Sequence, residues 1–568
     1  MTARALAVIA LAAGLSHPAG AQAVTPATVH APGGPFLTDD AGRRLELHGV
    51  NLVPECGPHT SPSKADGTPC LPDPKANEPG WYLTRHARDP GRRFTDADAE
   101  TLRSLGIDVV RLGIHWEAME PGPPGIGAND ATYCRHLLPG QPHDESLGSK
   151  LWSPAIADRY LGHVDREIRM LERHHLEVIL DMHSGAYSNF FYKTTGSTPW
   201  LGHGAPLWAT CDDNIPFTPP DAWNSSYFTP AVADAADHFW SNDVAVNMQE
   251  EYIRTWTHVV RRYAGSKLAS GIIGYEIANE PVELTEASPP AFDRKVQCDY
   301  AGSDYAPASC ASSLPATHPQ QVGIIPSIQQ VDPKRLVFYE PPILTGEGSP
   351  ETIGTGEPLP FDGLVLSFHS YATDEANFNE AAAARAATMT KQPGGPAWMN
   401  TEFGASDLDA ENSRAVAQAD QHLVPWTYWA ALQMHDPTGG PQERLIDDRT
   451  RKLIYPKACL LAGAHPTAVA GTLTQMTYDS TSGQEVVDWT PDPKVHAPTL
   501  IEVPSLRYSA GYRVQVTGGR VASRRRSGVL AVVAAGTGAV QVTVTPRDSS
   551  CPPRRRRERA RGTRIRPR

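Results

Sequence analysis

The sequence predicts an α/β chain: a (β/α)8 TIM barrel followed by a small C-terminal β-sandwich. Three observations carry this. Eight short apolar runs, rich in β-branched and aromatic residues, recur between residues 45 and 433. Segments of helical periodicity lie between several of them. After about residue 466 the helical segments give way to short alternating strands with Gly-rich turns. Strands alternating with helices build a parallel sheet, and eight of them favour a closed barrel over an open one.

The elements follow in chain order. Residues 1–23 read as a secretory signal: Arg4 precedes the apolar stretch 5–15, and Ala21-Gln22-Ala23 offers small residues for cleavage. The mature chain is therefore expected to be exported, extracellular or periplasmic, and monomeric. No later apolar run has the length of a bilayer span. Residues 24–465 form the barrel domain. Its expected strands are "LELHGVNL" (45–52), "VVRLGIHW" (109–116), "EVILDMH" (177–183), "IIGYEIANE" (272–280), "LVFYEPP" (336–342), "LVLSFHSY" (364–371), "AWMNTEFG" (397–404) and "WTYWAALQ" (426–433). Most are continuously apolar in their first half, as strands covered on both faces are.

"TDADAETLRSLG" (95–106) predicts a helix capped by Thr95 with Asp98 three residues on and stopped at Gly106. Segment 155–175 has helical spacing at Ile156, Tyr160, Val164, Ile168 and Leu171, and 247–265 repeats the pattern up to Gly265. Residues 466–547 are the sandwich, with strands in "TLIEVPSL", "GYRVQVTGG", "GVLAVVAAG" and "AVQVTVTP". Residues 548–568 form a basic, disordered tail.

The net charge of −12 conceals an asymmetry. Residues 552–568 carry nine Arg and one Glu, so the remainder is more acidic still. An acidic body argues against nucleic acid as partner. The eight cysteines suit disulfides in an exported chain. Short loops favour Cys56–Cys70 and Cys298–Cys310, which leaves Cys134–Cys211 as a third pairing. No C-x-x-C or H-E-x-x-H spacing occurs, so neither a metal nor another cofactor is expected.

In such a barrel the chemistry sits at the C-terminal strand ends. Those ends supply Arg111, His183, Asn279, Glu280, His369, Tyr371, Glu402 and Trp429. In "GYEIANEP", Glu276 lies inside strand four while Glu280 lies at its mouth, and Glu402 ends strand seven across the barrel. Two opposed carboxylates about 5 Å apart are what retaining glycoside hydrolysis needs. Ion pairing with barrel arginines is the competing reading of such a pair, and the accompanying residues favour catalysis.

Arg on strand two, His on three, Asn-Glu on four, His-x-Tyr on six, Glu on seven and Trp on eight together resemble glycoside hydrolase family 5. Within it, "HGVNL", "FTDADAETLRSLGIDVVRLGIHWEAMEP", "VILDMHSGAYS", "GAPLWAT", "GYEIANEP" and "TEFG" are most similar to endoglycosylceramidases. The sandwich, with "PTLIEVPSLRY" and "GYRVQVTGG", resembles theirs too. The resemblance implies that Glu280 is the acid/base and Glu402 the nucleophile. It implies that Asn279 meets the sugar 2-hydroxyl, that Tyr371 and Arg111 hold Glu402, that His369 lies near Glu280, and that Trp429 faces the sugar ring. His183 joins them as a substrate-side residue. Two positions depart from that family: Ser184-Gly185 stands where Gln-Asp is common, and "PECGP" where a Lys is common.

The loop 184–228 carries ten aromatics, Phe190 and Trp223 among them. They suit a lipid or sugar, or equally the packing of a long loop onto the barrel. The expected function is hydrolysis of the β-linkage between glycan and ceramide, with peripheral contact to a membrane or micelle surface. The alternatives are a β-glucanase, a β-glucosidase on another hydrophobic aglycone such as a steryl glucoside, and a non-catalytic carbohydrate-binding barrel.

Overall fold

The computed structural model describes residues 29–53, 94–120, 154–188, 191, 204–218, 220, 224–244, 247–283, 296, 298–306, 308, 310, 314–343, 359–371, 378–379, 395–406, 408–432, 443–447 and 450–551. A hairpin of β1 (Leu37–Thr38) and β2 (Arg44–Leu45) comes first. The barrel strands are β3 (His48–Leu52), β4 (Val109–Ile114), β5 (Glu177–Met182), β6 (Ile272–Glu276), β7 (Leu336–Tyr339), β8 (Leu364–His369), β9 (Ala397–Gly404) and β10 (Trp426–Trp429). They pair in chain order, all parallel, and β10 closes the ring against β3. Each falls in one of the eight expected runs. Every residue of β3 and β4 is buried, as apolar runs covered on both faces must be.

One run is divided. Segment 45–52 spans two sheets: Leu45 ends β2, and the barrel resumes at His48. Both halves are apolar and buried, so nothing in the hydrophobic pattern marks the break. The buried Glu46 lies between them, its carboxylate held by Arg44 Nε at 2.8 Å.

The helices show the expected signals. Helix Asp96–Ser104 starts at a capping box in which Thr95 accepts from the Asp98 amide and Asp98 accepts from the Thr95 amide. It ends before Gly106, whose φ of 83° belongs to the left-handed region. Helices Pro154–Arg173 and Met248–Tyr263 lie against the barrel, burying Tyr160, Val164, Ile168 and Leu171 from one and Trp256, Val259 and Tyr263 from the other.

Two antiparallel sheets follow. The four expected strands appear as β14 (Thr499–Glu502), β15 (Tyr512–Thr517), β17 (Val529–Ala534) and β18 (Val540–Pro546). They are joined by β11 (His465–Val469), β12 (Gly471–Asp479), β13 (Gln484–Pro491) and β16 (Gly519–Val521). One sheet runs β1-β2-β11-β14-β17-β16 and the other β12-β13-β18-β15. Leu473, Val487, Trp489, Ile501, Val532 and Val542 share the core of this region. The N-terminal hairpin thus completes a C-terminal sheet. Leu37, Leu45, Leu47, Ala468 and Leu500 pack with the barrel residues Val109, Ile179, Ile273 and Met399. These barrel residues lie at or near the strands' N-terminal ends, so that end is plugged.

Cys298 pairs with Cys310, the short-loop pairing expected. Cys459 pairs with Cys551 across a sequence separation of 92, which a preference for short loops overlooks. Cys211 is disulfide-bonded, while Cys134, Cys56 and Cys70 lie outside the described residues, as do the signal segment and residues 552–568. Among the described residues no helix is long and apolar enough to cross a membrane.

Candidate active site

The site grows from Arg111, in the middle of β4 and wholly buried. Its Nε donates to Glu276 Oε2 at 2.5 Å, and Nη1 to Glu402 Oε1 at 2.5 Å and Asn51 Oδ1 at 3.0 Å. Nη2 donates to Asn279 Oδ1 at 2.6 Å and lies 3.2 Å from Asp181 Oδ2. Burial opposes its charge, but Asp181, Glu276 and Glu402 outweigh burial and hold its pKa well above the ordinary value. Glu276, inside strand four, is therefore the counter-ion of this arginine, facing the barrel interior.

Glu402 stands in β9 beside His369, with which it is paired in register. Its second oxygen accepts from the Tyr371 hydroxyl at 2.6 Å. Glu280 lies beyond the end of β6, with a left-handed φ of 44° that turns the chain out of the strand. Its Oε1 is 2.8 Å from His369 Nδ1, its Oε2 accepts from the Tyr227 hydroxyl, and its backbone N–H donates to Glu340 Oε2 at 2.6 Å. One oxygen of Glu280, one ring nitrogen of His369 and one oxygen of Glu402 lie within 4.8 Å of one another. The two carboxylates thus converge on one point of the mouth.

All eight residues named from the sequence are at this end of the barrel, in distinct positions. Asn279 has its amide oxygen on Arg111, and its amide nitrogen donates to the Ser184 carbonyl at 2.7 Å. Ser184, one of the two departures, also donates its hydroxyl to the Asn279 carbonyl at 2.9 Å. It thus holds Asn279 at both side chain and backbone. His183 sits on Asp181 at 2.7 Å and stacks on Trp429, centroids 5.3 Å apart and planes within 17°. Trp429 is buried, and its indole N–H donates to Glu443 Oε2 at 3.2 Å. The "PECGP" segment lies outside the described residues.

Burial pushes both Glu280 and Glu402 up to about 7. Tyr227 and Arg111 act against it at Glu280. His369, Arg111 and Tyr371 act against it at Glu402, where the charge of Glu280 adds to it. Two coupled carboxyls titrate as a pair. Arg111 contacts Glu402 directly and favours its charged form, while acting on Glu280 only through its charge. Burial lowers His369 to about 4 and His183 well below its ordinary value, so both rings are neutral at pH 7.

Sequence reasoning passed over Tyr227, Glu340, Asp181, Asn51 and Glu443. Three of them had a signal: Asn51, Asp181 and Glu340 are polar residues at the ends of apolar runs. Tyr227 had only its place in an aromatic loop that is more than forty residues long. Of that loop, Phe191 and Trp208 are buried and Phe228 is 43% exposed, while Phe190 and Trp223 lie outside the described residues.

A closed parallel barrel with two carboxyl groups converging at its C-terminal mouth is an arrangement that O-glycoside hydrolysis can use. Residues 83–434 match the cellulase family, glycosyl hydrolase family 5, and residues 464–545 match the glycoside hydrolase family 5 C-terminal domain. The chain belongs to glycoside hydrolase family 5. It is 24% identical to endoglycoceramidase I of Rhodococcus hoagii (strain 103S) over 92% of this chain and 89% of that protein. Its fold is similar to endo-glycoceramidase II from Rhodococcus sp., with a TM-score of 0.61 at 23% identity over 90% of this chain and 99% of the other. It is also similar in fold to sterylglucosidase 1 of Cryptococcus neoformans, with a TM-score of 0.62 at 13% identity over 92% and 98%.

Proposed function

We propose that this family 5 hydrolase is an exported, retaining β-glycosidase that cleaves the bond between a glycan and the ceramide of a glycolipid. The observation that carries the mechanism is the approach of Glu280 and Glu402 oxygens within 4.8 Å, each with its own donors. That spacing suits retention, because an inverting pair needs a wider gap to admit water. Glu402, charged and held by Arg111 and Tyr371, attacks the anomeric carbon. Glu280 gives its proton to the leaving oxygen, and the sugar becomes an ester of Glu402. Glu280, now ionised, takes a proton from water, which attacks the same carbon, releases Glu402 and restores the configuration.

The ceramide reading is supported by the relatives. One is an endoglycoceramidase from Rhodococcus hoagii, another an endoglycoceramidase from Cyanea nozakii. The Rhodococcus sp. enzyme has been seen with ganglioside GM3 and as a lactosyl-enzyme intermediate. The test is kcat/KM of the purified protein on glucosylceramide, lactosylceramide, GM3, a steryl glucoside and cello-oligosaccharides. A glycosylceramide should exceed a soluble oligosaccharide of the same sugar by at least about tenfold, since burying the apolar aglycone contributes roughly 25 cal/mol per Å². Equal rates on cello-oligosaccharides would replace the lipid reading with a glucanase. Glu402→Ala should abolish turnover and be rescued by azide with inverted product. Glu280→Ala should lose poor leaving groups and keep glycosylation by dinitrophenyl sugars, which need no proton.

A further inference from the structure

Glu340 follows directly on β7 and is 3% exposed. The two-carboxylate mechanism does not use it, yet it touches the site twice. Its Oε2 accepts from the Glu280 backbone N–H at 2.6 Å. Its Oε1 lies 3.1 Å from His369 Nε2, on the side of the ring opposite Glu280. That contact is close in distance but is not a hydrogen bond, and Nε2 is buried with no hydrogen-bond partner among the described residues. A buried ring nitrogen in that state calls for the nearest acceptor or donor.

We infer that Glu280, His369 and Glu340 form a relay that shares one carboxyl proton across a neutral imidazole, with Glu340 as the positioning residue of the acid/base. The inference rests on the proposed role of Glu280. Two proton arrangements fit the same heavy atoms. In one, Glu280 is protonated and donates to Nδ1, while Nε2–H points to an ionised Glu340. In the other, Nδ1–H points to an ionised Glu280, and protonated Glu340 donates to Nε2. Each holds one ring proton and one carboxyl proton. Only the first can protonate a leaving group. After that transfer Glu280 is ionised, Nε2–H still points to Glu340, and the proton returns to Glu280 from the attacking water.

Burial, then the charges of Glu276 and Glu280, push Glu340 well above the carboxylate range, with Arg111 acting against them. The ring is kept neutral by burial. Other groups face the relay. Glu402 and Tyr371 approach from the β8–β9 side, Asp181 of β5 is raised in part by the charge of Glu280, and Tyr227 donates to Glu280 from the loop. Tyr300 donates to the Glu340 carbonyl at 3.1 Å, and His183 is near enough for the charge of His369 to act on it. None of them stands between Nε2 and Glu340.

Glu340→Gln tests this. The Glu280 N–H needs an acceptor, which turns the amide nitrogen of the substituted side chain toward Nε2. The ring proton is then held on Nδ1, and the negative charge is gone. Both changes favour ionised Glu280. The alkaline limb of kcat/KM should move down by about one pH unit. The loss on an alkyl β-glucoside should exceed the loss on a dinitrophenyl β-glucoside by about tenfold, mainly in kcat. Glu340→Asp, which keeps the charge, should restore the position of the limb. Equal losses on both substrates with an unmoved limb would overturn the relay and leave Glu340 a structural residue. Glu280→Ala in the same assays separates the two claims: if it shows no leaving-group selectivity, the acid assignment itself is wrong. Should Glu340→Gln not fold, a neutron structure of the unaltered protein at its optimum decides. One ring deuteron and one deuteron shared between Glu280 and Glu340 supports the relay; an imidazolium, or two ionised carboxylates, rejects it.

Discussion

Tyr371 and Tyr227 each give a hydroxyl to one member of the carboxyl pair, and each should govern one limb of the pH profile. In the proposed mechanism turnover needs Glu402 ionised and Glu280 protonated. A donated O–H favours the charged form of a carboxylate and lowers its pKa. Removing the Tyr371 hydroxyl therefore raises Glu402, and the acidic limb moves up, narrowing the bell. Removing the Tyr227 hydroxyl raises Glu280, and the alkaline limb moves up, widening it. The expected shifts are about half a unit to one unit, read from kcat/KM profiles of Tyr371→Phe and Tyr227→Phe. Both limbs moving together in either variant would reject the separate roles. The contrast is also one of legibility. Tyr371 could be read from the sequence because it sits two residues past a strand in a His-x-Tyr spacing. Tyr227 could not, because nothing local tells which aromatic of a long loop turns inward. The carboxyl pair and His369 lie on or just past the barrel strands, where order along the chain maps onto order around the barrel. Residues that hold them arrive from loops, where it does not.

At the level of elements, the barrel was the most readable part. Each parallel strand is covered on both faces, so it must be an unbroken apolar run, and such runs are visible without any partner. The sheets after residue 466 were only half visible. In β12 the pattern of burial is interrupted by a register shift between Leu473 and Gln475, and Thr472, Thr474 and Gln475 face outward, so the period of two is lost. Helix starts depend on side-chain chemistry within four residues and were correspondingly clear. The Thr95 capping box should contribute about 1 kcal/mol. Thr95→Ala should lower the urea midpoint accordingly without altering kcat, and Thr95→Ser should recover most of the loss. An unchanged midpoint would mean that packing of Ala99 and Leu102 alone holds the first turn.

The whole molecule is a barrel closed below by sheets that its own N-terminal hairpin completes, and a buried acid cluster lies at that junction. Asp420, on helix Asp409–His422, accepts from the backbone N–H of Tyr478 in β12 at 3.0 Å. Burial pushes its carboxyl up to about 7; Glu46 adds to the shift and His465 acts against it. Glu485, buried in β13, is pushed well above the carboxylate range by burial and then by the charge of Asp420. For acids raised on folding the native state binds more protons than the unfolded chain. Their stabilisation is complete below the unfolded carboxylate pKa and is lost as pH rises through about 7 for Asp420. The melting temperature should therefore fall as pH rises from about 5 to about 8. The raised carboxyls of the barrel, Asp181, Glu276, Glu280 and Glu402, have the same sign and contribute to the same fall, while the lowered His183 and His369 oppose it below about pH 6.5. Asp420→Asn keeps the acceptor for Tyr478 and never ionises, so it should reduce that fall by at least about 2 °C while leaving the low-pH value nearly unchanged. The measurement is calorimetry of both proteins across this range. A fall of the same size in the variant would show that Asp420 is ionised at no cost in the native protein, and that the junction between barrel and sheets is wetter than its burial implies.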